Sequence, residues 1–199
     1  VSRPEGASMS EPASTARSAE AHWVEEVLHY WFDCLGEVQW WGKDPLVDGE
    51  IQRRFGMLHE RLLADDGAGI AGPRPQLAAV LALDQFARHL FRGSPRAFAA
   101  DPLARRLARA AIAAGDDQAL THAQRLFLYL PFEHSEDRVD QAQAVALIDR
   151  LGNASWSEYA RAHQAIIVRF GRFPHRNAVL GRSSTAEETE FLAQPSSAF

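Results

Sequence analysis

Apolar residues recur three or four positions apart along most of the chain after residue 20, which is the spacing of helices that bury one face. The segment 156–170 shows this pattern as one stripe of aromatic and aliphatic residues that also includes His163. Ile166 and Ile167 are β-branched and favour strands, but they keep the helical spacing. The pattern predicts no strand, and it predicts helices at 20–35, 45–65, 74–92, 101–114, 121–130, 135–151, 155–170 and 185–193.

Residues typical of helix ends support these boundaries. Asp44 and Asp101 each precede a proline, which favours a capped helix start. Capping boxes are predicted at three further starts, Thr121–Gln124, Ser155–Glu158 and Ser184–Glu187. Glycines at C-cap positions are predicted to end helices at Gly36, Gly67, Gly93, Gly115, Gly152 and Gly171. We therefore predict a single all-α domain, an antiparallel array of about eight helices that resembles helical-repeat architectures without a repeat of fixed period.

The composition describes an ordinary globular protein, with 199 residues, 46% hydrophobic residues and 24% charged residues. The formal net charge of −5 argues against nucleic acid as a partner, because binding by counterion release needs a basic surface. Lys43 is the only lysine, so nearly all cations are guanidinium groups that can bind carboxylate or phosphate in a bidentate manner. Cys34 is the only cysteine, which excludes an internal disulfide, and it is expected to pack as a small apolar residue.

The apolar runs are too short for a membrane span. The longest run without proline, 77–83, has seven residues, whereas a span needs about 18 or more. The first twenty residues contain no apolar core of a secretory signal. We expect residues 1–20 to be a disordered leader, residues 21–199 to form the domain, and the protein to be cytoplasmic.

The segment 77–93 is apolar on two helical faces, so the helix is predicted to be buried. It carries Asp84 and Arg88, four residues apart on one face. An unpaired buried ion costs several kcal/mol, so these two should pair with each other or with groups of other helices. Such a pair serves either a functional site or the packing alone.

The segment 126–137 is an apolar helix that Pro131 is predicted to end, followed by Glu133, His134, Glu136 and Asp137. A carboxylate beside an imidazole suits proton transfer, because burial and nearby charges can bring either pKa close to neutrality. Ser135, Glu136 and Asp137 also suit the first turn of the next helix. The functional and the structural interpretation both stay open.

The segment 169–177 places three arginines and His175 around a glycine and a proline after a helix end. Guanidinium groups on such a loop could bind a carboxylate or a phosphate. They could equally satisfy the carbonyl groups at the helix end or pair with the excess acids. If the site forms, the cations Arg172 and Arg176 should lower the pKa of His175 and favour a neutral imidazole.

Other chemistry is less strongly indicated. Trp41 and Lys43 lie in a predicted loop before Asp44, where one tryptophan of the pair 40–41 could line a pocket while the other packs in the core. The chain has no HExxH, no CxxC and no glycine-rich phosphate loop, so we predict neither a metal nor a nucleotide cofactor. A zinc site could form only if the fold brought Glu133, His134 and His175 together.

Six segments together resemble the bacterial domain-of-unknown-function 924 family: WF at 31–32, WWGKDP at 40–45, FGMLHE at 55–60, DQFARHLFRG at 84–93, LFLYLPFEHSED at 126–137 and RFGRFPHRNAVLGR at 169–182. The resemblance spans about residues 22–199 and implies a tetratricopeptide-like all-α domain, with no reaction assigned. It points to the site residues Asp84, Gln85, Phe86, Arg88, Arg92, Glu133, His134, Ser135, Glu136, Arg172, Phe173, Pro174, His175, Arg176 and Asn177. Ala87 and His89 stand where members of the family usually have proline and asparagine.

These observations lead to one main hypothesis, a small-molecule enzyme that binds an anionic substrate. Its predicted catalytic residues are Glu133, His134 and His175, with hydrolase, lyase and isomerase chemistry all open. Its predicted substrate-binding residues are Asp84, Arg88, Arg92, Arg172, Arg176, Asn177, Trp41 and Lys43. The alternative is a non-enzymatic helical module that binds a peptide or protein partner. In a third interpretation, pairs such as Asp84–Arg88 and Glu133–Arg172 only fix the packing.

Overall fold

The fold consists of helices and contains no strand in the residues that our computed structural model describes, which are 22–195. The leader predicted at 1–20 lies outside this range. In chain order the helices are α1 (22–29, continued by a π-helical turn at Tyr30–Cys34), α2 (Glu37–Trp41), α3 (Pro45–Ala64), α4 (Pro73–Val80), a π-helical turn (Leu81–Gln85), α5 (Phe86–Leu90), α6 (Asp101–Ala114), α7 (His122–Glu133), α8 (Arg138–Asp149), α9 (Ala154–Phe170) and α10 (Ala186–Leu192). Short 3₁₀ turns lie at Pro95–Phe98, Asp116–Ala119 and Pro174–Arg176. The predicted all-α single-domain array is confirmed, and the tetratricopeptide-like arrangement stays a prediction.

Two predicted boundaries are wrong. Residues 37–41 form the short helix α2 instead of a loop, with Gly36 at its start and not at a helix end. Helix α7 continues through Pro131 to Glu133, and the N–H of His134 still donates to the carbonyl oxygen of Leu130 at 2.9 Å. Proline removes one hydrogen bond from the helix, and burial of its neighbours offsets that loss.

Several caps differ from prediction by one or two residues. Asp44 and the Thr121–Gln124 box cap their helices as predicted. Asn153 caps α9 in place of Ser155, and the box at α10 is Thr185–Glu188. Asp101 lies inside α6, whose N-cap is Ala100, so its carboxylate is available for other contacts.

The core is organised around α4 and the π-helical turn that follows it. Every residue from Leu77 to Leu83 has no exposed surface, as predicted for a helix that is apolar on both faces. Helices α3, α6 and α7 pack around this segment. Burial of each leucine stabilises the folded state by about 1.5–3 kcal/mol. The polar groups on this helix are therefore held in place by a well-packed core. No helix within residues 22–195 is both long and apolar enough to cross a bilayer.

The π-helical turn at Leu81–Gln85 places a polar residue at the inner end of this core helix. Its i→i+5 pattern is seen in the bond from the N–H of Phe86 to the carbonyl oxygen of Leu81. The ring nitrogen Nδ1 of His59, on α3, donates to the carbonyl oxygen of Ala82 at 3.0 Å and supports the turn from the side. Asp84 lies within the turn with no exposed surface. Such turns are frequent at functional sites.

An aromatic cluster around Phe127 joins α1, α2 and α7. The Phe127 ring makes edge contacts with Trp31, Phe32 and Trp40, with centroid distances of 5.4, 5.7 and 5.0 Å. The ring of Trp41 stacks on Phe127 at 5.5 Å and 15°. Trp40 Nε1–H donates to the carbonyl oxygen of Trp31 at 2.8 Å. These contacts explain why residues 37–41 are helical and packed.

Candidate functional site

The three polar segments singled out from the sequence meet at one place in the fold. The turn and helix at 81–90, the end of α7 and the loop after α9 contribute most of it, and α6 and α9 supply one residue each. We call this group the polar cluster; its members are Asp84, Arg88, Asp101, Glu133, His134, His163, His175 and Arg176.

Asp84 and His134 form the centre of the polar cluster. Nδ1 of His134 lies 2.8 Å from Oδ1 and 3.0 Å from Oδ2 of Asp84, and Gln85 Nε2 donates to Oδ2 at 2.6 Å. Burial raises the pKa of Asp84, but Arg88 and His134 outweigh this effect and hold the pKa well below its usual range. An ionised carboxylate only accepts hydrogen bonds, so the proton of the His134 ring is on Nδ1. Its Nε2 is then the basic nitrogen.

Two arginines and Asp101 line one side of this pair. Both terminal nitrogens of Arg88 donate to Asp101, at 3.1 and 3.2 Å, and Nη1 of Arg88 lies 3.3 Å from Oδ1 of Asp84. The expected pairing of Asp84 with Arg88 is confirmed. Nη1 of Arg176 donates to the carbonyl oxygen of His134 at 3.0 Å. Arg176 lies between two phenylalanine rings, and burial, helped by Arg88, lowers its pKa to about 10.

Glu133 and His163 form a second pair. Nδ1 of His163 lies 2.9 Å from the carbonyl oxygen of Tyr159 and 3.3 Å from Oε1 of Glu133. Because a carbonyl oxygen only accepts, Nδ1 of His163 carries the proton. Burial, with a contribution from Asp84, raises the pKa of Glu133 to about 8, and burial lowers the pKa of His163 to about 3. At neutral pH Glu133 is therefore a protonated acid and His163 is a neutral ring.

We expect Glu133→Gln to change how stability depends on pH. Between pH 4.5 and about 8 the folded chain keeps a proton on Glu133 that the unfolded chain has released, because the pKa is raised on folding. Raising the pH through this range therefore favours unfolding of the wild type, whereas the amide has no proton to lose. From about pH 5 to pH 8, the difference in unfolding free energy should move in favour of Glu133→Gln by more than about 1 kcal/mol. Urea unfolding of both proteins at the two pH values measures this.

The matched control is Glu60→Gln, whose carboxylate is exposed and pairs with Arg96. Its stability difference from the wild type should stay nearly constant over the same range. Parallel pH profiles for the wild type and Glu133→Gln would contradict a raised pKa at Glu133.

His175 lies near His134 of the Asp84–His134 pair, on the loop that follows α9. Gly171 ends α9 with a φ of 71°, a left-handed conformation that glycine adopts without strain, and the chain then turns into this loop. Burial, followed by the charge of Arg176, lowers the pKa of His175 to about 4. The expected neutral ring agrees with this direction. The main cause of the lowered pKa is burial, and Arg172 pairs with Glu188 at 2.7 and 2.8 Å.

A model of the family described as "Bacterial protein of unknown function (DUF924)" matches residues 27–196. The chain belongs to the DUF924 family. A solved structure, that of a protein of unknown function, ATU0120 from Agrobacterium tumefaciens, has a TM-score of 0.83 with this chain and 38% sequence identity. The match covers 87% of this chain and 98% of that chain. No match was found among curated proteins. The family resemblance found in the sequence is thereby confirmed.

Two predicted site residues of this DUF924 protein bind partners outside the polar cluster. Arg92 donates to Asp48 at 2.8 and 3.0 Å, and His89 lies 2.7 Å from the same carboxylate. His89, where the family usually has asparagine, therefore contacts α3 and not the polar cluster. Arg172 pairs with Glu188 of α10 and not with Glu133.

The other predicted residues also have separate surroundings. Asn177 is buried and bonds to Ser184, Glu188 and Arg182, which fixes the chain after the loop. Trp41 is 53% exposed and stacks on the aromatic cluster, and Lys43 is exposed between α2 and α3.

Glu136 holds the loop that carries His175 and Arg176. Its carboxylate accepts from the backbone N–H of Phe173 at 2.8 Å and from Arg182 at 2.7 and 3.0 Å. Glu136 thus ties the turn after α7 to the loop after α9.

Sequence reasoning missed two members of the polar cluster. The sequence pattern indicates a helix cap for Asp101 and an apolar stripe for His163. In the fold, His163 pairs with Glu133, 30 positions away in the chain. A polar residue on an otherwise apolar face is the feature that could have identified His163.

No group of three or more His, Cys, Asp or Glu side chains in residues 22–195 could hold a metal ion. Two cavities, of about 580 and 430 Å³, flank Met57 of α3, and neither is lined by a member of the polar cluster. Within the cluster, the side chains of His134 and Arg88 reach the surface, with exposed fractions of 15% and 22%.

Proposed function

We propose that this DUF924 protein is an enzyme that uses general acid–base catalysis on a small anionic molecule. The observation that carries the proposal is the buried Asp84–His134 pair next to a protonated Glu133. Perturbed carboxylate and imidazole groups packed together are typical of sites that transfer protons.

In this proposal His134 is the general base. Asp84 fixes the proton on Nδ1, so Nε2 can accept a proton from a bound substrate. Burial lowers the pKa of His134 in spite of the nearby Asp84, which keeps the ring neutral and ready to accept at pH 7. Its partial exposure lets a small molecule reach it.

Glu133 is proposed as the general acid and the arginines as the anion-binding groups. A carboxyl group with a pKa of about 8 carries its proton at pH 7 and can donate it. The buried Nε–H of Arg176 has no hydrogen-bond partner among the described residues, so this donor favours an incoming carboxylate or phosphate. Arg88 is the more exposed of the two cations. His175, neutral at pH 7, is a second proton acceptor.

The test uses the full chain and a panel of phosphate monoesters, dicarboxylates and 2-hydroxy acids, followed by proton and phosphorus NMR. We expect conversion of at least one compound, and His134→Gln should lower its rate by about 100-fold or more, which is the usual contribution of a general base. The rate should also fall as the pH rises through 8, because Glu133 loses its proton there.

The matched control is His122→Gln, an exposed histidine at the start of the same helix, α7. It should retain the wild-type rate. Circular dichroism checks that both variants are folded. The proposal fails if no compound of the panel is bound or converted, or if folded His134→Gln converts it as fast as the wild type.

A further inference from the structure

The end of α1 carries a histidine that contacts both a cysteine and an aspartate, outside the polar cluster. Sγ of Cys34 lies 3.5 Å from Nε2 of His29, whose Nδ1 lies 2.9 Å from Oδ2 of Asp33. All three residues are exposed, so Cys34 does not pack as the small core residue expected from the sequence. A nucleophile, a base and a group that orients the base are therefore aligned at the surface.

The π-helical turn is what brings these side chains together. In a regular α-helix, residues five positions apart point about 140° away from each other around the axis. The turn at Tyr30–Cys34 instead has an i→i+5 bond, from the N–H of Leu35 to the carbonyl oxygen of Tyr30 at 3.2 Å. His29 can then contact both Asp33 and Cys34. The buried side chains of Tyr30 and Trp31 anchor the turn in the core.

The direction of the hydrogen bonds assigns a role to each group. The Asp33 carboxylate accepts from Nδ1–H of His29, so Nε2 is the nitrogen without a proton and faces the thiol. A neighbouring imidazole that takes the thiol proton produces the thiolate, which is the nucleophilic form of cysteine. Exposure lets a reagent reach the sulfur.

We propose that Cys34 is a reactive thiol that exchanges with disulfides of small thiols, with His29 as the base and Asp33 as a positioning residue. The Cys34 thiolate attacks one sulfur of the incoming disulfide and forms a new S–S bond while the original S–S bond breaks. The second sulfur leaves as a thiolate and takes the proton from His29. Cys34 is oxidised and the leaving sulfur is reduced.

The product of this exchange is a lasting mixed disulfide. The chain has no second cysteine that could attack the new bond. Release therefore requires a thiol from outside, and this is the behaviour of a reversible modification site.

The test measures the reaction of the full chain with dithiodipyridine, by the absorbance of the released thiopyridone, at about pH 7 and pH 10. An ordinary thiol with a pKa near 8.5 is about 3% ionised at pH 7, so activation is limited to about 30-fold. We expect His29→Ala to react about fivefold more slowly than the wild type at pH 7, within that limit. Asp33→Asn should show a smaller loss. At pH 10, where ordinary thiols are ionised, the rates should agree.

His22→Ala is the matched control, because His22 is an exposed histidine on the same helix. It should react like the wild type at both pH values. Mass spectrometry after incubation with glutathione disulfide should show one added glutathione on the wild type and none on Cys34→Ser. Equal rates for His29→Ala and the wild type at pH 7, or no mixed disulfide on the wild type, would overturn the proposal.

Discussion

Asp84→Ala is expected to lower the free energy of unfolding by about 3–5 kcal/mol, because it removes a buried carboxylate from its ion pair and leaves buried hydrogen-bond donors without an acceptor. Asp84 is fully buried and accepts bonds from His134 and Gln85, and it also faces Arg88. Without it, Arg88 keeps Asp101 as an acidic partner, while Nδ1–H of His134 loses its acceptor. Urea unfolding with a linear extrapolation measures the change.

The control for this prediction is Asp149→Ala, which removes an acid from a surface pair. Its partner is Arg161, and the two side chains are 57% and 36% exposed. Exposed pairs contribute up to about 1 kcal/mol, so the loss should be small. Equal losses for the two variants would show that the Asp84 contacts do not stabilise the fold.

Phe127→Ala is also expected to lower the free energy of unfolding by about 3–5 kcal/mol, because it opens a cavity in the core. Phe127 has no exposed surface, and its ring contacts the aromatic residues of both α1 and α2. Trp41 stacks on this ring, so the substitution should also loosen α2 locally. Urea unfolding gives the global loss, and faster amide hydrogen exchange in residues 37–41 reports the local effect.

Tyr159→Ala is the control, since its aromatic side chain on α9 is more exposed than buried. Substitutions at such surface positions usually change stability by less than about 0.5 kcal/mol. A loss below about 1 kcal/mol for Phe127→Ala would contradict the packing role assigned to its ring.

The long helices were predictable because a helix buries the face that carries its apolar stripe, and the spacing of the apolar residues shows where each helix lies. Helix α2 was missed because it is only five residues long and lies between Gly36 and Gly42, which are typical of loops. Pro131 misled the prediction for a different reason. The local preference against helix before proline is weaker than the packing of residues 130–132 in the core.

The candidate site was predictable in part for a similar reason. Polar residues on apolar helices must find partners, which pointed to Asp84 and to the end of α7. Which residues become partners depends on tertiary structure, since Asp84 and His134 are 50 positions apart. Local spacing could not distinguish Asp101 from a cap, nor could it show that Arg172 turns to Glu188.

The π-helical turn at 81–85 divides one continuous helical stretch into two angular registers. One residue corresponds to about 100° of rotation and 1.5 Å of rise in an α-helix. The apolar residues before the turn pack against α6 and α7. Arg88, after the turn, pairs with Asp101 at the start of α6. Loss of a single residue here would rotate one half against the other, so the core contacts and the Asp84–Arg88–Asp101 contacts could not both be kept. The number of residues between Pro73 and Leu90 is therefore fixed by these two sets of contacts. Most of these residues are buried.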